Sequence, residues 1–180
     1  MARNRILSIL VCTLMVFSGC GYTTRSTLPS NIKTIYVDNF VNKINVAAEQ
    51  TNERMYRGYR PGMEVEVTNA IRDRFIFDGN LKIAPEESAN LILKGELIDF
   101  RREPLRYDND DNIEEYRVKL IVNMEVLNAD TGEVRWQEKG FSGETSYRTS
   151  GSLVKTESTA VRDATEDLAR RIVERTVEEW

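Results

Sequence analysis

The stretch from Glu114 to Leu127 constrains the fold most, because apolar and polar side chains alternate along it almost without interruption. The apolar positions are Tyr116, Val118, Leu120, Val122, Met124 and Val126, and the polar ones include Arg117, Lys119, Asn123 and Glu125. Successive side chains of a strand point to opposite faces of a sheet, so this segment is predicted to be a β-strand with one buried face. Half-buried strands of this type are typical of antiparallel sheets that are covered on one side.

Further strands are predicted before this segment. Within Asn31–Phe40, Ile35 and Val37 fall on one face of a first strand, and Leu81–Ala84 is compatible with a short edge strand. The segment Ala89–Arg101 alternates as well, and its apolar face carries Leu91, Leu93, Gly95 and Leu97.

A hairpin is predicted at residues 130–132, where Gly132 can adopt the left-handed conformation that a three-residue loop requires. In that hairpin Val126 faces Trp136, and the next strand runs from Glu133 to about Gly143. Trp136 and Trp180 are interpreted as core residues rather than as platforms for a ligand.

Two segments have helical periodicity. Residues 41–60 are polar and are expected to form a long loop, after which Pro61 suits the first position of a helix and Asp78-Gly79 suits its end. The apolar residues of this helix are Met63, Val67, Ala70, Ile71 and Phe75. A second, amphipathic helix is predicted near the C-terminus, with its apolar face formed by Val161, Ala164, Leu168, Ile172 and Val173.

The order of these elements predicts an α+β fold. One strand, one helix, several antiparallel strands and a final helix are expected to form a two-layer sandwich. In this arrangement two helices pack on one face of a mainly antiparallel sheet of four to five strands. A single domain would extend over residues 32–180.

Residues 1–19 are predicted to be a secretory signal peptide. Arg3 and Arg5 supply a positive start, and Ile6–Phe17 is an almost continuous apolar run that is too short for a permanent membrane span. Small residues follow this run and lead directly into a cysteine.

Phe17, Ser18 and Gly19 directly precede Cys20, and together they resemble a bacterial lipobox. A lipobox implies cleavage before Cys20 and an N-acyl and S-diacylglycerol group on that residue, with no other cofactor. Residues 20–31 would then form a lipidated tether. Gly21 stands where an inner-membrane retention signal would have Asp, which implies the periplasmic side of the outer membrane. A plain signal peptide with an incidental cysteine is the alternative.

Composition excludes several classes of function. The chain has a formal net charge of −4, which argues against a nucleic-acid-binding protein. It has no histidine, so Ser-His-Asp and Cys-His nucleophile systems are absent and an enzyme is not expected. With Cys12 removed in the leader and Cys20 acylated, no disulfide can form in the mature chain.

Arg101, Arg102 and Arg106 form the first candidate site. They lie close together between the two longest predicted strands, next to apolar Leu105 and Tyr107, and residues 101–107 are therefore interpreted as a protruding tip that could bind phosphates. The alternative is a solvated hairpin in which these arginines pair with neighbouring acidic residues.

A second candidate is a positive stripe on the outer face of the sheet, formed by Arg117, Lys119, Arg135 and Lys139. It could receive a phosphorylated glycolipid or an acidic partner, and a solvated sheet face is the alternative. No metal site is predicted. A calcium loop starting at Asp108 would need Gly and Glu where the chain has Ile113 and Lys119, so an Asx-rich turn is the better interpretation.

Short motifs recur in a recognisable order through nearly all of the chain after the leader. They are Cys20-Gly21-Tyr22, Leu28-Pro29, Ile32-Lys33-Thr34-Ile35-Tyr36-Val37, Asn39-Phe40, Ala89-Asn90-Leu91-Ile92-Leu93-Lys94-Gly95, Glu115-Tyr116-Arg117-Val118, and Thr131-Gly132-Glu133-Val134 before Trp136. Together these motifs resemble the LptE family of lipopolysaccharide-assembly lipoproteins. The polar insertion around Glu49–Arg60 departs from that pattern, so no binding residue of the family is transferred to this chain.

The resemblance implies a non-catalytic outer-membrane lipoprotein that acts as a plug inside the LptD β-barrel and helps that barrel assemble. Its implied partners are LptD and lipopolysaccharide, which the pair places in the outer leaflet. In that case Arg101, Arg102, Arg106, Arg117 and Lys119 are the candidate ligands of lipopolysaccharide phosphates.

Other functions are compatible with the same pattern. Another periplasm-facing outer-membrane lipoprotein of similar fold, such as a cell-wall synthase activator or a secretion-channel component, could share the opening strand. A carboxylate-dependent envelope hydrolase is disfavoured, because the sequence contains no acid/base pair in a special local setting.

Overall fold

The computed structural model describes residues 28–29, 31–45, 60–151 and 153–178. The predicted leader, Cys20, most of the tether and Trp180 lie outside these residues. Most of the predicted loop 41–60 also lies outside them.

The described residues form six strands and two longer helices. The strands are β1 (Thr34–Val37), β2 (Val41–Asn42), β3 (Lys82–Ile83), β4 (Leu91–Tyr107), β5 (Ile113–Asn128) and β6 (Val134–Arg148). The helices are α1 (Met63–Asp78) and α2 (Glu157–Val177), with one short 3₁₀ turn at Glu86–Ser88. The prediction that residue 41 already belongs to a loop is wrong, because two residues are too short a strand to produce visible alternation.

The strands form one mixed sheet in the order β3-β1-β4-β5-β6, and β2 also pairs with β4. The three long strands β4, β5 and β6 are antiparallel neighbours. The short β1 is parallel to both β3 and β4, since α1 carries the chain back between β1 and β3. The antiparallel strands β4, β5 and β6 are therefore the longer part of the sheet, called the arm here. The parallel strands lie beside the first half of the arm.

Both helices cover the same face of the sheet. One core contains apolar side chains from both helices and from the long strands, among them Ile35, Ile71, Phe75, Leu93, Val122, Leu168 and Ile172. In β5 the buried positions include Val118, Leu120, Val122, Met124 and Val126, as the alternation predicts. The predicted α+β sandwich with two helices on one face is confirmed, and the sheet has one strand more than expected.

The ends of the helices follow local chemistry. Gly62, with φ of 94°, precedes the first residue of α1, so the prediction that Pro61 opens the helix is wrong by two residues. Gly79, with φ of 77°, ends α1 as predicted and donates its N–H to the Phe75 carbonyl. Thr156 caps α2 by accepting the Thr159 N–H, which places the start of α2 before the predicted apolar stripe.

The long strands extend further than their sequence patterns indicate. β4 does not end at Arg101 but continues to Tyr107, and a β-bulge between Leu97 and Asp99 shifts its alternation. β6 does not end near Gly143 but continues to Arg148. The predicted hairpin is confirmed, because Val126 pairs with Trp136 and Gly132 has φ of 71°.

Candidate ligand-binding face of the sheet

The face of the sheet opposite α1 and α2 is called the outer face here, and it carries most of the predicted cationic site. Arg101 pairs with Lys119, and Lys119 pairs in turn with Glu144. Residues that face each other across strands point to the same side of a sheet. Lys119 alternates with the buried Val118 and Leu120, so all three charged residues project outward.

The predicted tip at residues 101–107 is not a loop. These residues belong to β4, so Arg101 and Arg102 point to opposite faces, and the turn comes later, at residues 108–112. The structure therefore brings Arg101, Arg106, Arg117 and Lys119 to one face, since Arg106 pairs with the outward-facing Glu115. It separates Arg102 from them.

Two cations lie directly opposite each other on the outer face. Arg101 and Lys119 are register partners, and like charges in this position destabilise a sheet. Asp99 offsets part of this repulsion by forming an ion pair of 2.6 Å with Arg101. Two cations placed opposite each other in this way can bind one anionic group between them.

Glu144 is shared by two cations. Its carboxylate lies 3.9 Å from Arg117 Nε and 3.5 Å from Lys119 Nζ. The pairing of Arg106 with Glu115 is also long, at 3.7 Å, and Ser146 Oγ donates a shorter hydrogen bond of 2.8 Å to Glu115. These contacts are long ion pairs of partly exposed groups, so the cations are available to a stronger anion.

Arg102 has a different environment on the helix side of the sheet. It forms an ion pair with Glu157 in the first turn of α2, and its guanidinium lies 4.9 Å from the centre of the Tyr116 ring. Tyr116 stacks in turn on Tyr147, with ring centres 5.7 Å apart. Burial opposes the charge on Arg102, but the Glu157 carboxylate outweighs it, so the pKa of Arg102 is raised. These contacts fasten the start of α2 to the arm.

The predicted positive stripe is divided into two parts. Arg117 and Lys119 lie near Glu144, whereas Lys139 lies beyond a bulge opposite Asn123 and lines a groove of about 380 Å³ with Lys94, Glu96 and Glu125. Arg135 lies at a second irregularity, between the pairs of Val126 and Leu127. β-Bulges interrupt the spacing of two that a sequence pattern assumes.

The turn after β4 is held by its own side chains. Asp108 accepts backbone hydrogen bonds of 2.9 Å from both Asp110 and Asn112. The hydrogen bonds from Asn112 hold the pKa of the Asp108 carboxyl below its ordinary value. The predicted Asx-rich turn is confirmed, and no group of three potential metal ligands occurs in the described residues.

Glu144 and Arg148 belong to the same face but were missing from the sequence-based site. Both lie in the second half of β6, where Glu144 pairs with Lys119 and Arg148 pairs with Glu115. A weak signal was present, because Glu144, Ser146 and Arg148 are polar residues spaced by two. Because Gly143 suggested the end of the strand, the polar residues after it were not assigned to the sheet.

Comparison with known proteins identifies the family. The family model for lipopolysaccharide assembly, LptE, matches residues 32–176, which is most of the chain. The chain belongs to the LptE family. The resemblance inferred from the short motifs is thereby confirmed, and the described domain is an LptE domain almost from end to end.

Several solved structures align with this chain at low sequence identity. A protein from Xanthomonas campestris aligns with a TM-score of 0.52 at 12% identity, covering 84% of this LptE-family chain and 87% of the other. A hypothetical protein from Chlamydia trachomatis aligns with a TM-score of 0.50 at 13% identity, covering 81% and 95%. The rare lipoprotein B from Shewanella oneidensis aligns with a TM-score of 0.43 at 16% identity, covering 78% and 92%. The first two similarities concern the fold alone.

No curated protein sequence matches this LptE-family chain. In residues 28–29, 31–45, 60–151 and 153–178, neither helix is both long enough and apolar enough to cross a bilayer.

Proposed function

We propose that this chain is an outer-membrane lipoprotein that acts as plug and assembly partner of the LptD β-barrel. Together the two proteins would insert lipopolysaccharide into the outer leaflet. The observation that carries this proposal is the family match over residues 32–176, which includes nearly the whole α+β domain. The role of the chain is binding and structural rather than catalytic.

Cys20 provides the attachment in this proposal. With an N-acyl and an S-diacylglycerol group, it holds the domain on the periplasmic side of the outer membrane. Each buried methylene contributes about 0.8 kcal/mol, and because one acyl chain binds only marginally, several chains are needed for stable anchoring. Mass spectrometry of the N-terminal peptide tests this step, and an unmodified Cys20 thiol or an intact leader would contradict it.

The outer face of the sheet provides the contact with lipopolysaccharide. Arg101, Arg106, Arg117 and Lys119 project there from adjacent strands, with no described helix over them. Arginine binds phosphate through paired, charge-assisted hydrogen bonds, and the long ion pairs of Arg106, Arg117 and Lys119 leave room for such a partner. Arg102 supports the same surface indirectly by holding α2 against the arm.

The partnership with LptD is tested by affinity purification from a detergent extract of the native host. A large outer-membrane β-barrel should accompany the tagged, full-length chain. Recovery of a cell-wall synthase or a secretion channel instead, without that barrel, would contradict the proposal.

A further inference from the structure

Glu144 lies on the edge strand β6, directly opposite Lys119 and beside the cationic surface of the outer face. We propose that its carboxylate is a built-in competitor for the phosphate groups of lipopolysaccharide, and that it lowers the affinity of Arg117 and Lys119 for them. This inference rests on the proposed function, because it assigns a specificity role within the same surface.

The Glu144 carboxylate lies near both cations but binds neither of them tightly. It is 3.9 Å from Arg117 and 3.5 Å from Lys119, whereas a direct charge-assisted hydrogen bond between nitrogen and oxygen is about 2.7–2.9 Å long. Asp99 differs in this respect, because its ion pair with Arg101 is 2.6 Å long. Glu144 can therefore be displaced by rotation of its side chain, without the loss of a short hydrogen bond.

The backbone at Glu144 is fixed from the other side of the sheet. Its N–H donates a 3.1 Å hydrogen bond to Asp167 of α2. The preceding Gly143 lies against the Leu168 backbone, so β6 is packed closely on α2 at this point. The carboxylate is thus held within reach of both cations even while a ligand is bound.

The charge balance explains why such a residue is useful. Glu144 pairs with both Arg117 and Lys119, and Glu103 faces Arg117 from β4 as a further carboxylate, so removal of the Glu144 charge leaves both cations less compensated. A protein that passes its ligand on must also release it, and a carboxylate that returns to the empty site favours release. Glu144 therefore favours release of phosphate, at a cost in affinity.

The experiment compares the full-length lipoprotein in detergent with its Glu144→Gln variant, using lipopolysaccharide and lipopolysaccharide stripped of its lipid A phosphates. Glu144→Gln should bind the phosphorylated form about fivefold more tightly, which is the factor that ~1 kcal/mol represents for exposed charges. The gain should shrink at high salt, because these groups are partly exposed and are screened. It should be absent with the stripped ligand.

Glu125→Gln is the matched control, since it removes one negative charge from the same face of the sheet, on the neighbouring strand β5 and away from Arg117 and Lys119. An equal gain in Glu125→Gln would overturn the inference, because net charge would then explain it. If Glu144→Gln unfolds more readily than the native chain, Glu144→Ala in the same assay should show the same gain.

Two failures can be distinguished. If the native chain binds through Arg117 and Lys119 but neither Glu144 variant gains affinity, the role of Glu144 is wrong and the proposed function stands. If the native chain binds both forms of lipopolysaccharide equally, or neither, the cationic surface itself is wrong and the inference falls with it.

Discussion

Gly143 in β6 lies directly against Leu168 in α2, and a β-carbon at position 143 would be 2.3 Å from the Leu168 backbone nitrogen. Because the obstructing atoms belong to the helix backbone, they cannot move aside as the end of a side chain can. The contact sets the distance between α2 and the sheet. It requires glycine at position 143 because a larger residue would not fit, and not because of the backbone conformation.

Gly143→Ala should therefore destabilise the domain by about 1–3 kcal/mol, the usual cost of overpacking a core. Urea unfolding followed by circular dichroism measures this. Ser142→Ala in the same strand is the control, with an expected change of less than about 0.5 kcal/mol. A Gly143→Ala variant as stable as the native chain would mean that α2 is not seated as described.

Removal of the cap at Thr156 should loosen the start of α2. The Thr156 hydroxyl accepts the Thr159 N–H at 3.2 Å, and replacing such a cap by alanine costs about 1 kcal/mol. Thr156→Ser keeps a hydroxyl in the same position and should retain most of the native stability. The cap is tested by measuring the free energy of unfolding of both variants under identical conditions. If Thr156→Ala and Thr156→Ser lose the same stability, the hydroxyl does not act as a cap.

Arg101 and Arg102 are adjacent in sequence, but their replacement should affect different properties. Arg102→Ala removes the ion pair with Glu157 and the contact with Tyr116, so stability should fall by about 1–2 kcal/mol. Arg101→Ala should leave stability nearly unchanged and weaken lipopolysaccharide binding. Thermal unfolding and lipopolysaccharide binding are measured for both variants. A loss of stability in Arg101→Ala together with a loss of binding in Arg102→Ala would contradict this assignment.

Tyr147 should make stability fall in alkaline solution. Burial, followed by the nearby Glu157 charge, raises the pKa of the Tyr147 phenol. A folded-state pKa above the unfolded value of about 10 means that the stabilising contribution is complete below pH 10 and is lost as the pH rises through the folded-state pKa. Tyr147→Phe should show a shallower decline in unfolding free energy above pH 10. An identical decline in both proteins would show that Tyr147 is not the cause.

The parts of the fold that obey one uninterrupted period could be predicted from the sequence. β5 alternates without a bulge over its buried positions, and the apolar stripe of α2 repeats over several turns. The remaining features depend on contacts between distant segments. Nothing local shows that β2 pairs with β4, because two residues carry no period.

The candidate site was only partly predictable, because bulges alter which side chains share a face. The sequence correctly grouped Arg117 with Lys119, which are two residues apart on a regular strand. It also grouped Arg101 with Arg102, although consecutive residues of a strand point in opposite directions and β4 continues through both. Glu144 could be recognised only from the register that places it opposite Lys119.

In the proposed function, phosphate groups of lipopolysaccharide bind to the outer face of the sheet and not to its helix side. The most direct test is the affinity of the full-length lipoprotein for phosphorylated lipopolysaccharide in an Arg101→Ala, Arg117→Ala, Lys119→Ala triple variant, with Arg102→Ala as the comparison. We expect affinity to fall at least about tenfold in the triple variant, or ~1.4 kcal/mol, and to change little in folded Arg102→Ala. Unchanged binding in the triple variant would contradict it.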